Sequence, residues 1–201
     1  MFEDMASLFN MAKKAHLAIT AGKTNSKADL KGAFALYRSA VSASFYFVES
    51  FMNGLAADHV WQHRGELSPN DLACLTEWDP QRQRRKTLTT KEKLVKYPRI
   101  ITGSQSPPLH EDNCAELKFI VTEGKRFRDA IVHPSAAKAN EEQQFEKEAA
   151  LMRLKYEAVE ATVDSSIVLI RKIHAIVRPT AELKWVVPRG TDGFFPASVF
   201  E

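Results

Sequence analysis

The run RFRDAIVHPS sets Arg128 and His133 five residues apart. An arginine offers a permanent fork of donors that matches a phosphate. A histidine, with an ordinary pKa of about 6.5, is the side chain best suited to moving protons near neutrality. On an unbroken helix the two would point about 140° apart. Proline disfavours the α conformation in the residue before it. The His133-Pro134 pair therefore puts His133 at a helix C-terminus, where it can swing toward the rim carrying Arg128 and where the protonated ring is modestly favoured. The spacing alone equally fits a surface arginine beside a capping histidine. Arg126, seven residues before His133, is a rival or auxiliary phosphate contact.

Three other sets of residues invite a chemical reading. Glu49 and Asn53 lie one turn apart on an apolar helix. They read either as a satisfied polar pair inside a bundle or as groups that line a cleft and orient Arg128 or His133. Between Pro80 and Arg99 stand eight basic residues, Arg82, Arg84, Arg85, Lys86, Lys91, Lys93, Lys96 and Arg99, opposed in that stretch by Glu92 alone. Such a segment can track a phosphate backbone with salt-sensitive affinity; it can equally be a solvated loop. Tyr97 is its one aromatic residue, which argues against a base-stacking platform. His59 and His63 have the i, i+4 spacing of a metal pair, but HVWQH lacks the glutamate that zinc peptidases place after the first histidine. We read this pair as coincidental and expect no metal or cofactor. No glycine-rich phosphate loop, G-x-S-x-G elbow or dinucleotide fingerprint is present.

Helices must position these residues. Leu30, Phe34, Tyr37, Val41, Phe45, Val48, Met52 and Leu55 recur at steps of three and four, one face of a helix of about seven turns. Ser26 or Asp29 can cap it, and Phe47 and Phe51 widen its apolar surface. A shorter helix, about 3–21, precedes it and stops near Gly22. A third runs from about 111 to 132, and a fourth from about 141 to 177, ended by Pro179. The stretch 65–110 carries five prolines and reads as irregular, with a short helix around 90–97. The tail, 179–201, is too apolar for a free linker and is expected to pack on the bundle or on a partner. No strand alternation is visible. The expectation is a single all-α domain with its core at about 26–178 and a long basic insertion between the second and third main helices.

Composition narrows the class of protein. The 201 residues are 44% hydrophobic and 26% charged, which is ordinary for a globular chain and excludes wholesale disorder. A net charge of +3 does not by itself announce a nucleic-acid binder. Two cysteines, Cys74 and Cys114, make no disulfide framework. Glu3 and Asp4 stand where a signal peptide would need positive charge, and no apolar run reaches 18 residues. A soluble, cytoplasmic protein is expected.

The run from Arg128 to His133, with Asp129 as the polar residue after the arginine, resembles the motif of the HEPN superfamily. The earlier helix, AFALYRSAVSASFYFVESFMNGLA, is similar to that family's long helix, with Glu49 and Asn53 among small and aromatic residues. The resemblance covers roughly residues 28–178. It implies a metal-independent endoribonuclease, of the kind found among toxins and defence proteins, whose composite site forms where two protomers meet. Arg128 and His133 would then be catalytic, with Asp129, Glu49 and Asn53 in support. RNA would be the substrate, contacted also by Arg126, Arg82, Arg84, Arg85 and Lys86. A homodimer is implied, with an antitoxin or regulatory protein as a further partner. The family also includes inactive members, so a non-catalytic helical dimerisation or binding module is the alternative.

Overall fold

The computed structural model describes residues 1–24, 26–132 and 154–199. Within them the protein is mostly helical, as its periodicities predict. Helix α1 (Phe2–Thr20) lies antiparallel-wise before the long α2 (Lys27–His63), and both pack against α7 (Tyr156–Val177). Ser26 caps α2 by accepting from the Asp29 backbone N–H, which leaves one fewer donor of the first turn orphaned. The predicted stripe of α2 is buried from Tyr37 to Leu55, while its first two members, Leu30 and Phe34, stay exposed. Met5, Phe9, Phe47, Val48, Met52, Val159, Val163, Leu169 and Ile170 close the centre of the core. No helix among the described residues is long and apolar enough to cross a membrane.

The stretch 65–110 is more regular than its prolines predict. It holds α3 (Pro69–Leu75), a two-residue antiparallel pair, β1 (Trp78–Asp79) with β2 (Arg84–Arg85), and α4 (Thr90–Ile101). The short hairpin corrects the expectation of no strand at all; two residues per strand are too few for alternation to show. Glu77 and Gln83 take positive φ values of 51° and 47° where the chain turns. Helix α4 begins with a capping box: Thr89 accepts from the Glu92 N–H while the Glu92 carboxylate accepts from Thr89. It then runs four residues beyond the expected 97, through Pro98.

The third helix is not continuous. It comprises α5 (Ala115–Phe119), a π-helical turn (Ile120–Gly124) and α6 (Lys125–Val132). The apolar tail packs inside the same chain. Phe195 meets Phe2 and Phe9 edge-on at centroid distances of 5.6 Å, and Asn10 exchanges two hydrogen bonds with its backbone. Trp185 rests on Phe2, Phe47 and Phe51. Arg189 reaches Glu160 at 2.6 Å and Asp164 at 2.5 Å from its position over the Phe9 ring.

Candidate active site

Arg128 projects from α6 into a cleft of about 580 Å³ walled by α2, the segment 87–91 that leads into α4, and the π turn. Phe45 forms the floor, and the guanidinium carbon lies 5.5 Å from its ring centroid, a cation–π contact. Gly124 permits this arrangement, since a Cβ there would come within 3.3 Å of the Phe45 ring. Arg128 Nη2 is ion-paired with Asp129 Oδ1 at 2.7 Å, and Lys125 Nζ donates to Asp129 Oδ2 at 2.6 Å. One carboxylate therefore braces both cations of the rim. Arg128 Nε is buried and has no hydrogen-bond partner among the described residues. Leaving a buried donor unmade costs about 1–3 kcal/mol, while the rest of the Arg128 side chain is 30% exposed toward the cleft.

Glu49 lines the same cleft from α2, half-buried, and accepts from Thr90 Oγ1 at 2.7 Å. Asn53, one turn later, is exposed rather than buried, and its Oδ1 accepts from Lys93 Nζ at 3.0 Å. Both polar groups of α2 are thus engaged by the first turns of α4, not by Arg128. Lys93 is itself buried, and its ammonium also meets Glu77 at 3.0 Å. Glu77 in turn accepts from the Leu88 N–H at 2.8 Å. This network fastens the cleft's α4 wall to α2. Arg126 points elsewhere, exposed and paired with Glu123 at 3.1 Å. His133 lies outside the described residues, so its distance from Arg128 is not part of this geometry.

The basic segment divides in two. On α4 and its approach the cations meet acids recruited from other parts of the chain: Lys91 pairs with Glu111, Lys93 with Glu77, and Arg99 with Asp71 at 3.3 Å, while Lys96 pairs locally with Glu92 at 2.8 Å. Hydrogen bonds from Lys96 and Thr89 hold the Glu92 carboxyl down at about 2. Arg82, Arg84, Arg85 and Lys86 of the hairpin are exposed, with Arg82 loosely opposite Asp79 at 3.9 Å. The rings of His59 and His63 lie with centroids 4.8 Å apart and planes tilted by 36°, and burial lowers the pKa of His59. No three metal-ligating side chains gather among the described residues.

Phe45 and Lys125 are site residues that sequence reasoning missed, and Lys93 was legible only as one cation of the basic segment, not as the link from α4 to Asn53 and Glu77. Phe45 was legible only as one member of a core stripe. Lys125 and Asp129, four apart, carry the usual spacing of a helix-face ion pair, a signal that was present. The chain matches no family model, no curated protein and no solved structure.

Proposed function

We propose that the protein is a metal-independent endoribonuclease of HEPN type, acting in the cytoplasm as a homodimer under control of an antitoxin or regulatory partner. The observation that carries this reading is Arg128, seated over Phe45 in a polar-rimmed cleft, braced by Asp129 and holding a buried donor without a partner. In this mechanism Arg128 binds the scissile phosphate and stabilises charge on the phosphorane. His133 moves the proton. Cleavage by the RNA's own 2′-hydroxyl needs a base for that hydroxyl and an acid for the leaving 5′-oxygen, and two facing copies of His133 supply both. Exposed Tyr46 and Val132, on α2 and at the end of α6, offer apolar surface for a second copy.

The test is cleavage of a labelled single-stranded RNA by purified protein with and without excess EDTA. Wild type should cut in EDTA and leave a 2′,3′-cyclic phosphate. His133→Ala should lose about two to four orders of magnitude, and Arg128→Lys should also be poor, because a point charge does not replace a fork. Equal activity in His133→Ala would refute the assignment. A second reading, a non-catalytic binding module with the same fold, is supported by the engagement of Glu49 and Asn53 with Thr90 and Lys93; it predicts RNA binding without cleavage.

A further inference from the structure

A second cleft, of about 660 Å³, opens on the other side of the α2–α4 contact, among Asn53, Trp61, Arg64, Glu77, Arg85 and Tyr97. Its most unusual member is Trp61, whose side chain is 89% exposed at the rim. An indole displayed to water in this way is apolar surface without a covering group. Arg64 and Arg85 flank it and are exposed themselves. The ion pairs of this region are Arg82–Asp79 and Lys93–Glu77, which leaves Arg64 and Arg85 unpaired among the described residues. Glu77, the one acid on the wall, already has the Lys93 ammonium at 3.0 Å, so it opposes an anionic ligand weakly. Arg85 stands directly across the hairpin from Trp78. Opposed residues of an antiparallel pair share a face, so a second half-exposed indole, Trp78, lies beside that arginine.

The sequence gives the basic segment a single aromatic neighbour, Tyr97, but folding brings two tryptophans to it from outside. Flat aromatic faces next to unpaired arginines are the chemistry of unpaired nucleotides: bases stack on the rings and phosphates meet the guanidinium groups. We propose that this cleft seats unpaired nucleotides of single-stranded RNA, with Trp61 as the stacking platform and Arg64 and Arg85 as phosphate contacts. Trp61 lies 16 residues along α2 from Phe45, about 24 Å at the helical rise. The cleft is therefore a holding site several nucleotides from Arg128, not part of the cleavage site. The inference rests on RNA being the ligand, as in the reading above, but not on its being cut.

The experiment is equilibrium anisotropy of a fluorescein-labelled oligouridylate of about 12 nucleotides, within the usual range of single-strand sites, with full-length protein across a salt series. Trp61→Ala should weaken binding roughly five- to hundredfold, and Trp61→Phe should retain most of it, as expected for a stacked base. Arg85→Ala should weaken binding and flatten the dependence of log affinity on log salt by up to about one unit. A duplex RNA of the same length should bind without sensitivity to Trp61. Trp61 is exposed, so the fold does not depend on it. Unchanged affinity in Trp61→Ala, an equal loss in Trp61→Phe, or no binding of the oligouridylate overturns the proposal. Trp61-dependent binding by a wild type that cuts nothing refutes the ribonuclease reading and leaves this one standing; cleavage with Trp61-independent binding does the reverse.

Discussion

Replacing Lys93 by Met keeps the aliphatic stem and removes the ammonium that joins α4 to α2. The side chain of Lys93 is 7% exposed and that of Glu77 is 24% exposed. Breaking a fully buried pair costs about 3–5 kcal/mol, whereas an exposed pair is worth about 0–1 kcal/mol. Here the cationic end is buried, and the anionic end can partly rehydrate while keeping the Leu88 N–H at 2.8 Å. The Asn53 carbonyl is exposed and recovers water. An intermediate loss of about 2–3 kcal/mol follows, which for a domain of this size lowers Tm by about 5–10 °C. Most of that loss comes from the stranded Glu77 carboxylate. Lys93→Met combined with Glu77→Gln should therefore regain at least about 1 kcal/mol relative to Lys93→Met alone. Urea denaturation of the wild type, both single variants and the double variant provides the cycle. A Lys93→Met loss within about 0.5 kcal/mol, or a double variant that loses the full sum of the singles, would refute the reasoning.

Two further perturbations probe the cleft wall and the core. Thr89→Ala removes the hydroxyl that accepts from the Glu92 N–H and should cost about 1 kcal/mol in denaturation, with Thr89→Ser near wild type. His174 is buried, and burial followed by nearby Arg178 lowers its pKa from the ordinary 6.5. The unfolded chain then takes up the proton first, so stability should be full above about pH 6.5 and fall as the pH drops toward the lowered folded value. Unfolding free energies at a series of pH values should show this decline, and His174→Gln should flatten it.

How much of this was legible beforehand depends on whether the signal is local. The span of α1 and the Ser26 start of α2 follow from periodicity and a capping residue, and the structure places them within one or two residues of expectation. Pro98 pulled the expected end of α4 forward, although a capping box at Thr89 and Glu92 was present at its start. The pairing of Lys91, Lys93 and Arg99 with Glu111, Glu77 and Asp71 was not legible. Those acids lie outside the run that made the segment look unopposed, and only the fold brings them near. The same holds for Trp61 and Arg85. Arg128 was singled out from the sequence and lines the cleft, but its platform, Phe45, sits 83 positions earlier. The third helix ends at Val132 as expected, while His133 and the first part of the fourth helix fall outside the described residues.

The π turn at Ile120–Gly124 carries a consequence for how the rim can vary. One turn of this kind absorbs an extra residue, so everything after it is rotated by about 100° relative to an uninterrupted α-helix. Lys125, Arg128 and Asp129 all lie downstream. Their common direction is therefore set by the length of the segment before them as much as by their identities. A chain shortened by one residue between 120 and 124 would form a regular α-helix and keep Lys125, Arg128 and Asp129 facing the same way, because that residue is the one the π turn absorbs. A chain of unchanged length that wound 120–124 as ordinary α-helix would instead turn the guanidinium away from Phe45, and the cleft would lose its charge while the composition of the motif stayed intact. Two chains with the same Arg-to-His spacing can thus differ in whether that spacing addresses a cleft at all, according to how the turn upstream is wound.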